Sequence, residues 1–569
     1  MSVKYQGTPV SDGIAIGNVL KLEKPNLTPE DYAVADGQAD AEKEEFYKAI
    51  KTSKSELEGF IARVDGEKKE ILTAHLSILE DPFLESLIMG KIDQGMNVQK
   101  ALQEATDEIS AQFMAIDDEY MRERAADLQD ESARIMRHLK GCELIDLSNL
   151  EKEVVVIAKD LTPSDTATMD LEKVLGFATD LGGRTSHTAI MARNMGVPAV
   201  VGCMDIFDKI EAGASIILDG SSGDIFVDPD TTQTTDYQKK QQAFADHKKQ
   251  LEGLLCEPAE TKDGHRVELA CNIGSDKEAV VALEKGAEAI GLFRTEFLYM
   301  ESSDFPTEEE QFKAYKSVAE TMKGHPVIIR TLDIGGDKAL SYYTFPEELN
   351  PFLGYRAIRL TLDMEDQFKV QLRAILRASA FGKIRIMFPM VISLNEFQKC
   401  KSLLQKCMDE LRKEGVAFDE KMEIGIMIET PASVWMADVL AKYVDFFSIG
   451  TNDLTQYTLA VDRGNEWIQK LYDSFHPAVL RSIQHVIASA HKEGKWVGMC
   501  GEFAGEKLAT TLLLGMGLDE FSMSASSILE IKSIIHNTTW SEAKAIAQHV
   551  TTLETTEQIR EYLVSKKSE

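Results

Sequence analysis

The spacing of apolar residues divides the chain into stretches with different periods. Residues 4–22 are rich in glycine and β-branched residues and end in a segment typical of a strand. From about residue 35 to residue 140, apolar positions recur with helical spacing, as at Phe46, Ile50 and Leu57, with Glu and Lys on the opposite face. This pattern predicts a helical bundle inserted after the first strand.

Strand signals return after residue 150 and alternate with short helical stretches. The four segments are Val154–Ala158, Val174–Phe177, Ala199–Val201 and Ser215–Leu218. Together with the first strand they predict a compact α/β domain made of residues 1–22 and 146–230, with the helical insert covering residues 23–145. The polar, helix-prone stretch Asp236–Leu255 predicts a helical linker, placed at residues 231–261.

A third pattern of apolar residues begins at residue 262, where short apolar segments are separated by helical stretches. The eight segments are Val267–Cys271, Ala289–Phe293, Val327–Ile329, Ile384–Phe388, Ile424–Ile428, Phe446–Ile449, Trp496–Met499 and Glu520–Met523. Eight βα units in about 300 residues predict a (β/α)₈ TIM-type barrel over residues 262–569. The expected fold class is therefore multidomain α/β.

Composition and charge restrict the functions that this fold can serve. The 569 residues carry a formal net charge of −32, which argues against a nucleic-acid or anionic-membrane surface. The seven cysteines include no Cys-x-x-Cys pair, and Cys400 and Cys407 have the helical spacing of core residues. The N-terminus lacks the apolar core of a signal peptide, and no uncharged apolar run reaches about 18 residues. We therefore expect a cytoplasmic protein.

One short segment places a histidine at the start of a helix. Two glycines, Gly182 and Gly183, precede the candidate N-caps Thr185 and Ser186, and the residues after His187 form a short apolar helix. Unpaired backbone N–H groups at a helix N-terminus favour an anion and keep an imidazole neutral. The position suits a histidine that carries a phosphoryl group, although a capping or packed histidine is commoner.

Polar and reactive residues follow the predicted barrel strands, at the ends where such barrels hold their catalytic groups. These residues are Asn272, Arg294, Arg330, Met390, Glu429, Asn452, Asp453, Cys500 and Glu502. Apolar, capping or turn residues would be the ordinary occupants of most of these places. Their concentration here predicts an active site at the C-terminal end of the barrel.

The residue types indicate a small, highly anionic substrate. Arg294 and Arg330 can each bind a phosphate or carboxylate in bidentate fashion, and Arg463, Arg356 and Lys338 could add positive charge. Lone cations more often serve structural ion pairs, which weakens the case for Arg356 and Lys338.

Two carboxylates and the lack of nucleotide-binding motifs further restrict the kinds of reaction that the site could catalyse. Glu429 and Asp453 suit a magnesium site, and an alternative is that they form salt bridges with the arginines. The sequence contains neither a P-loop nor a dinucleotide-binding glycine motif. Residue chemistry therefore points to a phosphoryl donor smaller than ATP and a histidine acceptor.

Two motifs resemble the signatures of the phosphoenolpyruvate-utilising enzymes. The segment from Gly182 to Thr188 is similar to their phosphohistidine motif, and the segment from Asp445 to Tyr457 is similar to their second signature. Domain order, length and the Gly498–Glu502 stretch resemble the phosphoenolpyruvate–protein phosphotransferases, the first enzymes of the bacterial sugar phosphotransferase system. The resemblance covers the whole chain.

This resemblance implies specific roles for the candidate residues. His187 would accept the phosphoryl group on Nε2, Cys500 would protonate C3 of the enolate to give pyruvate, and Thr166 could orient His187. Phosphoenolpyruvate would be bound by barrel residues and Mg²⁺ by two carboxylates. The matching substrate-binding residues are Arg294, Arg330, Asn452 and Arg463, with Asp453, Arg356 and Lys338 as further candidates; the matching metal ligands are Glu429 and Asp453.

The resemblance also implies partners and motion. The helical insert would dock the phosphocarrier protein HPr, the histidine domain would swivel on the linker, and the barrel would form a homodimer. One alternative is an enzyme like pyruvate phosphate dikinase or phosphoenolpyruvate synthase that lacks its nucleotide domain. A complete enzyme of that kind is disfavoured, because only about 150 residues precede the histidine domain and they show no nucleotide motif. Another alternative is a non-catalytic signalling scaffold, against which the intact His187, Glu429, Asp453 and Cys500 argue.

Overall fold

A computed structural model describes residues 2–23, 25–35, 37–62, 67–114, 119–142, 147–162, 165–166, 168–183, 186–336, 338, 340–465 and 467–567. The chain divides into two compact units, Met1–His247 and Lys248–Glu569. Within the described ranges, no helix is both long and apolar enough to cross a membrane.

The first unit is built on one eight-stranded sheet. Its strands are β1 Val3–Gln6, β2 Thr8–Ser11, β3 Ile14–Leu22, β4 Val154–Ala158, β5 Val174–Thr179, β6 Ala199–Val201, β7 Ser215–Asp219 and β8 Asp224–Val227. Their order is β1-β8-β7-β3-β4-β5-β6-β2, and β3, β4, β5 and β6 form the parallel centre. These central strands are β-branched on both faces, because apolar clusters cover both sides of the sheet.

The helical insert interrupts the sheet between β3 and β4. Its helices are α1 Ala39–Ile61, α2 Glu67–Leu79, α3 Pro82–Asp93, α4 Val98–Met114 and α5 Glu119–Leu139. They pack around their own core, in which the predicted face of α1 is confirmed: Phe46 and Leu57 are fully buried and Ile50 packs against them. The insert is therefore a separate layer within the first unit.

Three further helices complete the first unit and lead out of it. They are α6 His187–Met195, α7 Ile206–Lys209 and α8 Thr231–Glu252. Helix α8 has no buried residue among its described side chains, as its polar composition predicts. Gln241 nevertheless ties it to the sheet by donating to the Ile14 carbonyl oxygen at 2.9 Å.

The second unit is a closed barrel of eight parallel strands, which confirms the predicted fold class. The strands are β9 Glu268–Ile273, β10 Ala289–Arg294, β11 Val327–Arg330, β12 Ile384–Phe388, β13 Ile424–Ile428, β14 Phe446–Ile449, β15 Trp496–Met499 and β16 Glu520–Met523. Five of the eight match the predicted bounds, and the other three differ by one or two residues at their ends. Each strand is a short apolar run because both of its faces are buried.

Helices surround the barrel and fill most of its βα connections. They are α9 Asp276–Glu284, α10 Glu296–Met300, α11 Glu308–Thr321, α12 Ile358–Asp363, α13 Glu365–Ala378, α14 Leu394–Glu414, α15 Pro431–Trp435, α16 Ala437–Leu440, α17 Thr451–Leu459, α18 Pro477–Lys492, α19 Thr510–Met516, α20 Ile528–Asn537, α21 Trp540–Val550 and α22 Thr556–Lys567, with 3₁₀ turns at Pro351–Leu353, Gln469–Leu471, Glu502–Gly505 and Ala525–Ser527. Cys400 and Cys407 lie buried along α14, as their spacing predicts. The boundaries of the four predicted domains stay a prediction.

Candidate active site

The barrel brings the predicted strand-end residues to one rim. Arg294 and Arg330 are the last residues of β10 and β11 and stand opposite each other in the parallel register. Glu429 directly follows β13, Asp453 lies in the first turn of α17 after β14, and Cys500 directly follows β15. Because the strands are parallel and closed, these ends all face the same mouth.

The cations of the mouth form an ion-pair network with two buried carboxylates. Nη2 of Arg330 is 2.7 Å from Oε1 of Glu296, and its Nη1 is 2.9 Å from Asp333. Nη2 of Arg356 is 2.9 Å from Asp333, and Nζ of Lys338 is 2.7 Å from Glu296. Burial alone would raise the pKa of both carboxyl groups, but the adjacent cations lower the pKa of each below its ordinary value.

Several buried polar atoms of this mouth have no hydrogen-bond partner in the described part of the chain. They include Nε of Arg294, Arg330 and Arg356, and Oδ1 of Asp453. Buried polar groups without partners are costly, and they are normally satisfied by ligand or ordered water. Unsatisfied guanidinium N–H groups beside an unsatisfied carboxylate oxygen fit a site that takes up an anion together with a cation.

The surroundings of Glu429 disfavour its ionised form, because the group is buried and two further carboxylates lie near it. Oε1 of Glu429 accepts the backbone N–H of Met390 at 2.5 Å, and no described cation forms an ion pair with it. Burial, followed by the charges of Asp453 and Asp333, raises the pKa of Glu429 to about 8. Asp453 lies 3.5 Å from Nη2 of Arg356, so the predicted salt-bridge alternative describes part of its surroundings. The pair fits a bound cation better than it fits a salt bridge.

The remaining candidates for substrate binding flank this pair. Oδ1 of Asn452 accepts the backbone N–H of Glu502 at 3.1 Å, and its backbone carbonyl accepts the Tyr472 hydroxyl at 3.0 Å. Arg463 is fixed through its backbone N–H, which donates to Gln456 at 3.0 Å. Burial raises the pKa of the Tyr472 hydroxyl to about 12, and the nearby charge of Arg463 opposes that rise, so Arg463 lies near the tyrosine that donates to Asn452.

Cys500 lies in an apolar pocket at the end of β15. Its buried side chain packs with Leu292, Met387 and Met427 inside the barrel. Burial raises the pKa of the thiol to about 12. The thiol therefore stays protonated at neutral pH, which is the form that a general acid requires.

In the first unit, the structure places His187 at the first position of α6. Ser186 is the N-cap, and its side chain accepts the backbone N–H of Ala189 at 3.3 Å. The helix ends at Gly196 in a left-handed conformation. The other predicted cap, Thr185, and the His187 side chain lie outside the described residues.

The turn that contains Thr166 lies against the start of the same helix. The Thr188 hydroxyl donates to the Leu161 carbonyl oxygen at 3.2 Å, and the buried Thr166 hydroxyl donates to the Thr162 carbonyl oxygen at 3.3 Å. The turn and the first turn of α6 are therefore neighbours. The orienting role of Thr166 stays a prediction.

Sequence reasoning missed two members of the mouth, Glu296 and Asp333. Both lie within three residues after a barrel strand, one after the strand that ends at Arg294 and the other after the strand that ends at Arg330, so the same positional signal applied to carboxylates would have found them. Their effect is to hold Arg330, Arg356 and Lys338 in place. This pairing agrees with the structural ion-pair role that the sequence favoured for Arg356 and Lys338.

Comparison with known proteins finds matches to one enzyme family along the chain. Three family models match: the N-terminal domain of PEP-utilising enzymes over residues 6–124, their mobile domain over residues 150–223, and their PEP-binding domain over residues 248–540. An Enzyme I protein solved by NMR is 40% identical, covers 42% of this chain and 99% of its own, and has a TM-score of 0.40.

Curated relatives match over nearly the full length. The phosphoenolpyruvate-protein phosphotransferase of Priestia megaterium is 48% identical and covers 99% of both chains. That of Bacillus subtilis is 47% identical and covers 98% of both chains. The barrel mouth and the histidine at a helix start are features that this family would need. From the full-length matches, the chain belongs to the phosphoenolpyruvate-protein phosphotransferase family of PEP-utilising enzymes.

Proposed function

We propose that the protein transfers the phosphoryl group of phosphoenolpyruvate to Nε2 of His187, releases pyruvate, and passes the group to a histidine of the phosphocarrier protein HPr. This is the first step of the phosphotransferase system for sugar uptake. The observation that carries the proposal is the barrel mouth, where buried arginine N–H groups without described partners lie beside the carboxyl groups of Glu429 and Asp453. A small phosphorylated acid with a cation matches both needs.

Substrate binding is assigned to the cations of the mouth. Arg294 and Arg330 hold the phosphate and carboxylate, with Arg463 and Asn452 at the opposite side of the rim. Glu296 and Asp333 keep Arg330 immobile, so its charge is already in place when negative charge develops on the transferring group. Arg356 and Lys338 extend the positive field and hold the same two carboxylates.

Glu429 and Asp453 are assigned to a divalent metal ion, specifically Mg²⁺. The buried Oδ1 of Asp453, which has no described partner, and the buried Glu429 carboxyl, which forms no described ion pair, fit an ion that takes one or two carboxylates together with substrate oxygens. When bound, the ion neutralises charge on the phosphoryl oxygens. The protein's own contribution is to keep both carboxylates fixed, Glu429 through the Met390 backbone N–H.

Cys500 is assigned to the protonation step. Loss of the phosphoryl group leaves an enolate, which becomes pyruvate only when a proton reaches C3. The neutral thiol in its apolar pocket can supply that proton, as a general acid should.

His187 and the helical insert are assigned to the second transfer. The N-terminus of α6 favours the anionic phosphoryl group on the imidazole, and Ser186 satisfies one of the exposed N–H groups. The insert folds around its own core within the same unit, and we assign it the docking of HPr. A homodimer through the barrel and a cytoplasmic location complete the proposal.

The full-length match to relatives disfavours the alternative of a dikinase without its nucleotide domain, because it covers 99% of a phosphoenolpyruvate-protein phosphotransferase. Incubation with phosphoenolpyruvate and Mg²⁺ followed by mass spectrometry tests the proposal. We expect one acid-labile phosphate on His187, and no label on a His187→Ala variant that melts like the wild type. A control variant, His247→Ala on α8, should be labelled normally. Undiminished labelling of His187→Ala would reject the proposal.

A further inference from the structure

A chain of two hydrogen bonds from strands β9 and β16 holds the backbone of Cys500. Nδ2 of Asn272, on β9, donates to the Cys500 carbonyl oxygen at 2.8 Å. The Ser522 hydroxyl, on β16, donates to Oδ1 of Asn272 at 2.7 Å. Since β16 lies between β9 and β15, Asn272 reaches across one strand to the residue that follows the next.

The opposite side of the same residue is also fixed. The backbone N–H of Cys500 donates to the Ile449 carbonyl oxygen at 3.1 Å, on the neighbouring strand β14. Both peptide groups that flank the Cys500 side chain therefore have partners from other strands. The direction of the thiol depends on these two bonds, on its apolar contacts and on the weak hydrogen bond that Sγ itself donates to the Ile449 carbonyl oxygen at 3.9 Å.

A glycine on the neighbouring side of the barrel interior, Gly291, leaves the space that the Ser522 hydroxyl occupies. Ser522 is fully buried, and a Cβ at Gly291 on β10 would lie 2.4 Å from its hydroxyl oxygen. Only glycine at position 291 lets the Ser522 hydroxyl occupy its site beside Asn272. The Asn272 amide thus has a prescribed orientation, because its carbonyl oxygen must accept from Ser522 and its N–H must donate to Cys500.

We propose that Asn272, oriented by Ser522, is a positioning residue that aims the Cys500 thiol at C3 of the substrate. The inference rests on the proposed function of Cys500 in the protonation step. Asn272 donates to the backbone of Cys500, so it acts through the cysteine and is not itself a proton donor.

The reaction that this positioning serves consists of phosphoryl transfer followed by protonation of the enolate. The bond between phosphorus and the enol oxygen breaks as the bond between phosphorus and His187 Nε2 forms, which leaves the enolate. C3 then takes the proton from Sγ, and the thiolate regains a proton from solvent. A misdirected thiol slows the second event and leaves phosphoryl transfer intact, since a displacement of about 1 Å can cost roughly 10²-fold in rate.

The decisive variant is Asn272→Asp in the full-length protein. An aspartate carboxylate keeps the size of the side chain and can accept from Ser522, but it cannot donate to the Cys500 carbonyl. We expect pyruvate release and deuterium exchange at C3 of pyruvate in D₂O to fall about 10- to 100-fold. The KM for phosphoenolpyruvate and the phosphate exchange between His187 and HPr should stay unchanged.

Asn537→Asp is the matched control, because Asn537 also donates its amide to a backbone carbonyl, that of Ser533 at 2.9 Å, away from the mouth. It should behave like the wild type in every assay. Ser522→Ala, which removes the partner that orients Asn272, should show the same selective loss to a smaller degree. Thermal melts of all variants exclude a general folding defect.

A double mutant separates failure of this inference from failure of the proposed function. If Asn272 acts through Cys500, Asn272→Asp adds no further loss to Cys500→Ala. An impaired Cys500→Ala protein with a fully active Asn272→Asp protein would overturn the positioning role alone. Normal pyruvate formation by Cys500→Ala would overturn the role of Cys500 and the inference with it. Losses that multiply in the double mutant would also reject the inference.

Discussion

The barrel mouth and the start of the His187 helix handle negative charge in opposite ways. The mouth buries Arg330, Arg356, Asp333 and Glu296 in a network of ion pairs, where each charged group is held by at least one group of opposite charge. The helix start relies on backbone N–H groups and a serine cap, and it contains no comparable cluster of buried charges among the described residues. A fixed, preorganised field suits bond breaking, whereas a local backbone site suits a group that must be carried and released.

The first way to test this contrast is to separate the two units. A fragment of residues 1–247 retains the sheet, the insert and the part of α8 that Gln241 ties to Ile14. We expect it to exchange phosphate with phospho-HPr and to show no labelling by phosphoenolpyruvate, because every mouth residue is missing. Labelling with each donor in turn gives the answer. Phosphorylation of the fragment by phosphoenolpyruvate would place the donor site in the wrong unit.

The second test removes the proton donor of the mouth. Cys500→Ala should lower steady-state pyruvate formation by about 10²- to 10⁴-fold, the usual contribution of a general acid. Phosphate exchange between His187 and HPr should be unaffected, because it does not involve the barrel. A coupled pyruvate assay and an exchange assay on the same preparation measure both rates. Equal losses in the two rates would contradict the assignment of protonation to the barrel and of phosphate exchange to the first unit.

The third test concerns the metal. Glu429→Gln and Asp453→Asn should each raise the Mg²⁺ concentration needed for half-maximal activity, by about 10- to 100-fold. A purely structural salt bridge predicts a lower melting temperature with unchanged metal dependence instead. Activity titrations with Mg²⁺ and thermal melts of both variants distinguish these outcomes. Arg373→Gln, which breaks a surface ion pair with Glu414, is the control for charge removal.

The smallest expected effect concerns a buried charge cluster in the helical insert. His75 is buried; burial alone would lower its pKa, but hydrogen bonds to Asp127 and Glu131, with the nearby charge of Asp130, raise its pKa to about 9. A raised histidine pKa stabilises the folded state fully below about pH 6.5, and this contribution is lost as the pH rises through about 9.

Wild-type protein should therefore lose about 3 kcal/mol of unfolding free energy between pH 6.5 and 9.5 relative to His75→Gln. Urea unfolding of the 1–247 fragment at several pH values measures this difference. Parallel pH profiles for the two proteins would show that His75 does not carry the charge.

Much of the fold follows from local sequence pattern. The barrel strands were predicted within one or two residues because each is a short apolar run bounded by polar turns, as at Phe446–Ile449. The cap at Ser186 follows from residue type and position alone. The strands β1, β2 and β8 were not resolved as separate elements, because a strand of four residues gives too short a pattern.

The sequence by itself determined which residues lie at the barrel rim, since strand period and parallel order bring the ends of all eight strands together. Tertiary structure alone decided which rim residues touch. The pairing of Arg356 with Asp333 joins two parts of the connection between β11 and β12, and the pairing of Asn272 with Cys500 reaches past strand β16. Such contacts join residues 23 and 228 positions apart, and no local periodicity encodes them. Burial makes them decisive, because an unpaired charge or polar group inside the barrel is costly.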